Sequence, residues 1–125
     1  FDENFFLYFE ETEFCYRAKK KGFKTYQINK IKVETKGRSV EINNENFKKF
    51  NNILIWHFIW SKFYFNKKKY GIFFSFIIFI PILVRIIFKI LFHKIINNKE
   101  IEKKYKFRLD GLLKSMLGKK SSLRP

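Results

Sequence analysis

The stretch GIFFSFIIFIPILV, residues 71–84, runs for fourteen residues without a charge and restricts this chain more than any other feature. So much contiguous apolar surface is costly to leave in water, and it must be buried in a protein core or in lipid. As a helix at about 1.5 Å per residue the run spans roughly 21 Å, short of the ~30 Å hydrocarbon core of a bilayer. Beyond it Arg85, Lys89 and His93 recur at intervals of four and line one stripe of the same helix. Basic stems on such a stripe can reach the headgroups while the opposite face stays in lipid. Length and charge together favour an interfacial or shallowly inserted hairpin over a full span or a buried soluble helix. Pro81 is expected to kink or break whichever helix contains it.

The flanking sequence extends this character. NFKKFNNILIWHFIWSKFYF (46–65) reads as a helix with a wide apolar face, interrupted by NKKKYG. Residues 100–120 read as a basic amphipathic helix with Leu109, Leu112, Leu113, Met116 and Leu117 at helical spacing. Residues 46–125 therefore form a basic, aromatic-rich helical region expected to associate with a membrane. In it Trp56, Trp60, Tyr64 and Tyr70 suit an interfacial aromatic belt, and Arg85 and Lys89, with Lys62, Lys67, Lys68 and Lys69, suit anionic headgroups. Nucleic acid is disfavoured, because its binders interleave basic and aromatic residues on a polar surface without a long uncharged run. His57 and His93 lack the clustering of a metal site and suit structural or interfacial roles.

The acidic residues are distributed quite differently. The net charge is +16, yet five of the 11 Asp and Glu residues (Asp2, Glu3, Glu10, Glu11 and Glu13) fall in the first thirteen positions, where there is no Lys or Arg. The chain opens on FDENFFLYF without an initiator Met and reads as a piece of a longer protein. A helix is expected from Glu11 to Lys21, with acids in its first turn, lysines in its last and Gly22 just beyond. Phe14, Cys15 and Ala18 share a face that would pack on a sheet, with Cys15 in the core. FKTYQI (23–28) and KIKVET (30–35) alternate as short strands do, with KGRS (36–39) as a turn. Carboxylates at 10, 11 and 13 repel one another, and partial burial would raise at least one pKa, which suits a general base. The same acids could equally do no more than stabilise a helix N-terminus.

The order of these residues adds a resemblance. Residues 1–40 are similar to the C-terminal part of the catalytic domain in family 2 glycosyltransferases, in the rhamnosyltransferase-like branch that builds bacterial surface polysaccharides. The family pattern runs roughly F-D-E-x-F-F-x-Y-x-E-D-x-D-[LF]-C-x-R-x-x-x-x-G-[YF]. This chain matches it at Phe1, Asp2, Glu3, Phe5, Phe6, Tyr8, Glu10, Phe14, Cys15, Arg17, Gly22 and Phe23.

The resemblance implies an α/β architecture: residues 1–45 would be the acceptor-side end of a GT-A domain, followed by the helical region 46–125. It implies Glu11 as the catalytic base, Glu10 as the residue that orients or tunes it, Glu13 at the acceptor or capping the helix, and Arg17 in a loop-fixing ion pair. A divalent metal, magnesium or manganese, would steady the departing diphosphate, with Glu34 standing where the family has a histidine that can help bind it. Glu34 reads equally as an exposed charge at a strand end. Glu11 and Glu13 replace family aspartates, so each carboxylate sits one methylene further out.

The donor would be a nucleotide-diphosphate sugar, gripped mostly by residues upstream of Phe1. The acceptor would be lipid-linked or polysaccharide glycan, at the cytoplasmic face of a bacterial inner membrane with an anionic surface. The alternative from another class is a non-catalytic basic module that anchors or assembles at the membrane.

Overall fold

The computed structural model describes residues 1–26, 28–32, 34 and 44–123. Four helices account for its regular structure: α1 (Glu10–Lys20), α2 (Asn44–Tyr70), α3 (Ile72–Ile95) and α4 (Lys99–Met116). No strand occurs among the described residues, whose regular structure is all helical, so the expected α/β architecture is corrected. The described parts of 23–28 and 30–35 carry no sheet; Gln27, Val33, Thr35 and the turn at 36–39 lie outside the described residues. The physical reason is the lack of a partner. Two short strands with lysines at Lys24, Lys30 and Lys32 are marginal by themselves, and the segment before them packs on a helix instead.

The helix limits follow from local chemistry. Helix α1 has Glu10, Glu11 and Glu13 in its first turn and Arg17, Lys19 and Lys20 in its last, matching the helix dipole at both ends. It closes with Gly22 at φ 84°, whose N–H donates to the Lys19 carbonyl while the Phe23 N–H donates to that of Ala18, both at 3.1 Å. That pair of bonds needs a left-handed residue, which glycine supplies without strain. One residue, Gly71 at φ 84°, separates α2 from α3. Between α3 and α4, Asn97 takes the left-handed conformation and lets the Asn98 N–H reach the His93 carbonyl at 2.9 Å. The Asn98 side chain then accepts from the Ile101 N–H and caps α4. Pro81 does not break α3, which is one continuous helix with the proline ring on its exposed face.

Helices α2, α3 and α4 pack pairwise into a bundle. Its core is Ile59, Phe63, Phe79, Ile86 and Leu112, bordered by Ile82, Leu83, Ile90, Tyr105, Leu109 and Met116. The rings of Phe63 and Phe79 meet edge to face at 5.1 Å. The α2–α4 crossing is close because α4 presents small residues: a Cβ on Gly111 would stand 2.7 Å from the Trp56 carbonyl oxygen, and the Ser115 hydroxyl donates to the Trp60 carbonyl. Of the apolar positions read in α4, Leu112 is fully buried, whereas Leu113 and Leu117 face outward.

Candidate functional site: the acidic helix end and its clamp

Residues 1–20 dock on one face of α2. Phe5 meets Tyr64 edge to face at 5.0 Å, Phe9 stacks on Phe65 at 5.7 Å, Tyr8 meets Phe58 edge to face at 5.5 Å, and the Ser61 hydroxyl donates to the Leu7 carbonyl at 2.7 Å. These contacts hold Tyr8 and Phe9 at φ 67° and 68°. Two consecutive bulky residues in the left-handed region cost on the order of 1–3 kcal/mol each, so the aromatic contacts offset a strained entry into α1.

Beside them lies a charge cluster. The Lys68 ammonium donates to Asp2 Oδ2 at 2.7 Å and to Glu13 Oε1, and the Arg17 guanidinium donates to Glu13 Oε2 at 2.9 Å. Tyr64 also donates to Asp2 Oδ2, at 3.3 Å. Glu13 has no exposed surface. Burial pushes its carboxyl up, but hydrogen bonds from Lys68 and Arg17 outweigh that and leave its pKa lowered. Asp2 behaves alike: burial raises it, the Lys68 and Asn4 hydrogen bonds overcome this, and it falls from 3.8 to about 2.

Because the folded state prefers both groups ionised, their stabilisation is complete above the ordinary carboxylate pKa and is lost as pH falls through the lowered values. For Asp2 that window runs from about pH 4 to about pH 2 and is worth about 2 kcal/mol. Acid titration followed by proteolytic cleavage of residues 1–22 should show the segment loosening in that window. Asp2→Asn should flatten the profile without abolishing it, since Glu13 acts in the same direction. A wild-type profile in that variant would remove Asp2 from the clamp.

The expected site residues part company here. Glu13, expected at the acceptor, is a buried ion-pair partner of α2, because Lys68 reaches it from the facing helix. Its shift is opposite to the one the sequence suggested for a base. Arg17 makes an ion pair, but with Glu13 one turn earlier in α1 rather than across a loop. Glu11 is exposed in the first turn of α1 and has no hydrogen-bond or ion-pair partner among the described residues. Glu10 is half-buried beside it, with Oε2 shielded from solvent and unbonded. Cys15, expected in the core, is exposed, since α1 turns Phe9, Glu13 and Tyr16 toward α2 instead.

Glu34 is exposed, and no three carboxylate, imidazole or thiol groups converge among the described residues. Glu34 is thus the one residue among those described that the resemblance offers to the divalent metal, and it stands alone at the surface.

Trp56 and Trp60, expected at a membrane interface, are 0% and 2% exposed. Their indole N–H groups donate to Asp110 Oδ2 at 2.6 Å and to the Lys119 carbonyl at 3.1 Å. The helical bundle and C-terminal tail satisfy them as a lipid interface would, which explains the misplacement. His57 is buried between Ser121, 2.9 Å from Nδ1, and the Leu123 carbonyl, 2.7 Å from Nε2, and ties the tail to α2. Arg85 is exposed on α3 and Lys89 half-buried.

Lys68 is the residue that sequence reasoning missed as a site element. It sits in a run of three lysines, but Ser61, Phe65 and Lys68 fall at i, i+4 and i+7 on one face of α2, the spacing that singles it out. No known family model matches this sequence, and no curated protein or solved structure is detectably similar to it.

Proposed function

We propose that the chain supplies the acceptor-side acidic helix of an inverting glycosyltransferase working against a membrane. A sugar would pass from a nucleotide-diphosphate donor to a lipid-linked or polysaccharide acceptor at the cytoplasmic face of a bacterial inner membrane. The observation that carries this reading is the division of labour among the acids: Asp2 and Glu13 are tied into the clamp, while Glu11 is left exposed and unpaired in the first turn of α1. A free carboxylate on a helix end tied to α2 can take the proton from an acceptor hydroxyl as its oxygen attacks the anomeric carbon, inverting the configuration while the nucleoside diphosphate departs. Glu10, with one shielded oxygen, would orient or tune that base.

The reading requires a donor-binding half upstream, and its test uses a protein containing both. There Glu11→Gln should lower turnover at least about a hundredfold with donor binding retained, because the amide keeps the shape but cannot take the proton. Near-normal turnover would overturn it. A second reading, a non-catalytic anchoring module, is favoured by the long apolar face that α3 leaves exposed. An inert Glu11→Gln together with loss of activity on membrane-bound acceptors when α3 is altered would select that reading.

A further inference from the structure

By length and composition α3 can cross a bilayer: its 24 residues reach about 36 Å. Little of it is covered by the rest of the protein. Phe73 is 69% exposed, Val84 61% and Ile95 84%, and Phe74, Ile77, Ile80, Phe88 and Leu91 are exposed between them. Its other face, with Ser75, Phe79 and Ile86, is buried against the bundle.

We propose that α3 is an in-plane keel. The bundle lies on an anionic bilayer with the α3 axis parallel to the surface, its outward face sunk among the acyl chains and α2 and α4 above it. The proposal rests on the membrane part of the reading above and is independent of the catalytic part.

Three observations argue for lying over crossing. Arg85 is the fourteenth of the 24 residues, so in a crossing helix it would stand near the middle of the hydrocarbon, where a cation is costly. Helix α4 packs along α3 and carries nine charged residues out of 18, so a crossing α3 would draw that charged helix into lipid with it. Finally, at about 100° per residue, Arg85 and Lys89 fall to one side of the outward apolar stripe and Lys94 to the other. Arg85 and Lys89, a turn apart beside the apolar face and away from the helix ends, fit the waterline of an in-plane helix.

A net charge of +16 complements an anionic surface. It also opposes a second copy on the same face, which would bring two strongly basic chains and their Arg85–Lys89 flanks together.

The test uses the whole 125-residue chain carrying Cys15→Ser, with single cysteines replacing Phe73, Val84 or Ile95 and bearing a nitroxide. These positions are eleven residues apart and share one face. On vesicles of phosphatidylcholine with 30 mol% phosphatidylglycerol, oxygen and a water-soluble relaxant should report one shallow depth for all three labels. Val84 lying far deeper than Phe73 and Ile95 would overturn the proposal in favour of a crossing helix. Labels buried without vesicles, in a dimer, would overturn it in favour of a second copy, and failure to bind vesicles would remove the membrane reading with it. Arg85→Gln with Lys89→Gln should weaken partitioning onto the anionic vesicles about 25-fold, at roughly fivefold per cation near the surface. Binding as tight as wild type would overturn the waterline assignment. None of these measurements reads Glu11, so the catalytic reading stands or falls separately.

Discussion

Replacing Lys68 by Ala should release residues 1–20 from α2 at a cost of about 3 kcal/mol, as expected when a buried charge loses its partner. Glu13 has no exposed surface and would retain only Arg17, whose side chain is 44% exposed, while Asp2 would lose its cation altogether. The reverse change should cost much less: in Glu13→Gln, Lys68 still meets Asp2 and is itself partly exposed to water. That asymmetry is the test. Hydrogen exchange in α1 should rise sharply in Lys68→Ala and modestly in Glu13→Gln, and the double variant should recover part of the loss because no uncompensated buried carboxylate remains. Equal effects of the two single changes would show that the pair is a surface contact.

Gly111→Ala should destabilise the bundle by about 2 kcal/mol, although the same change in an exposed helix stabilises by up to about 1 kcal/mol. The sign turns on the α2–α4 crossing. The added methyl would stand 2.7 Å from the Trp56 carbonyl oxygen and 3.0 Å from Ile59 Cγ2, and the first of these is backbone that cannot swing aside. Relief requires the helices to separate, which stretches the Ser115–Trp60 and Trp56–Asp110 hydrogen bonds together. Thermal unfolding in detergent micelles should move down by about 5–10 °C. A midpoint at or above wild type would mean that the helices are not held at this separation.

What was legible in the sequence was local. The acids and lysines of α1 with Gly22 and the apolar spacing in 100–120 each carry their cause within a few residues, and those helices fall close to where the signals put them, whereas the interruption expected over 66–71 shrinks to Gly71 because α2 runs on to Tyr70. The errors concern partners distant along the chain. Trp56 and Trp60 satisfy one pattern whether their surroundings are lipid or protein; only α4 and the tail, some fifty residues on, decide it. Glu13 was read with the neighbouring acids Glu10 and Glu11, whereas its state is set by Lys68, 55 residues away. The alternation in 23–35 was real as a pattern, but a strand exists only if another strand accepts its hydrogen bonds. In α1 the segment 8–16 turned on its axis to follow the aromatic rings of α2, and Cys15 went outward with the face it shares.

The single residue between α2 and α3 turns the molecule into a gauge of height. Lys68 stands three positions before Gly71, about 4.5 Å along the helix, and it grips both Asp2 and Glu13. One residue, Gly71, is all the chain that lies between the helix carrying the clamp and the apolar face that begins at Ile72. On the catalytic and membrane proposals above, whatever meets Glu11 would present its reactive group close to the level at which that face begins. A partner held on a long stalk would be out of register, and one borne directly on a short surface group would be within reach.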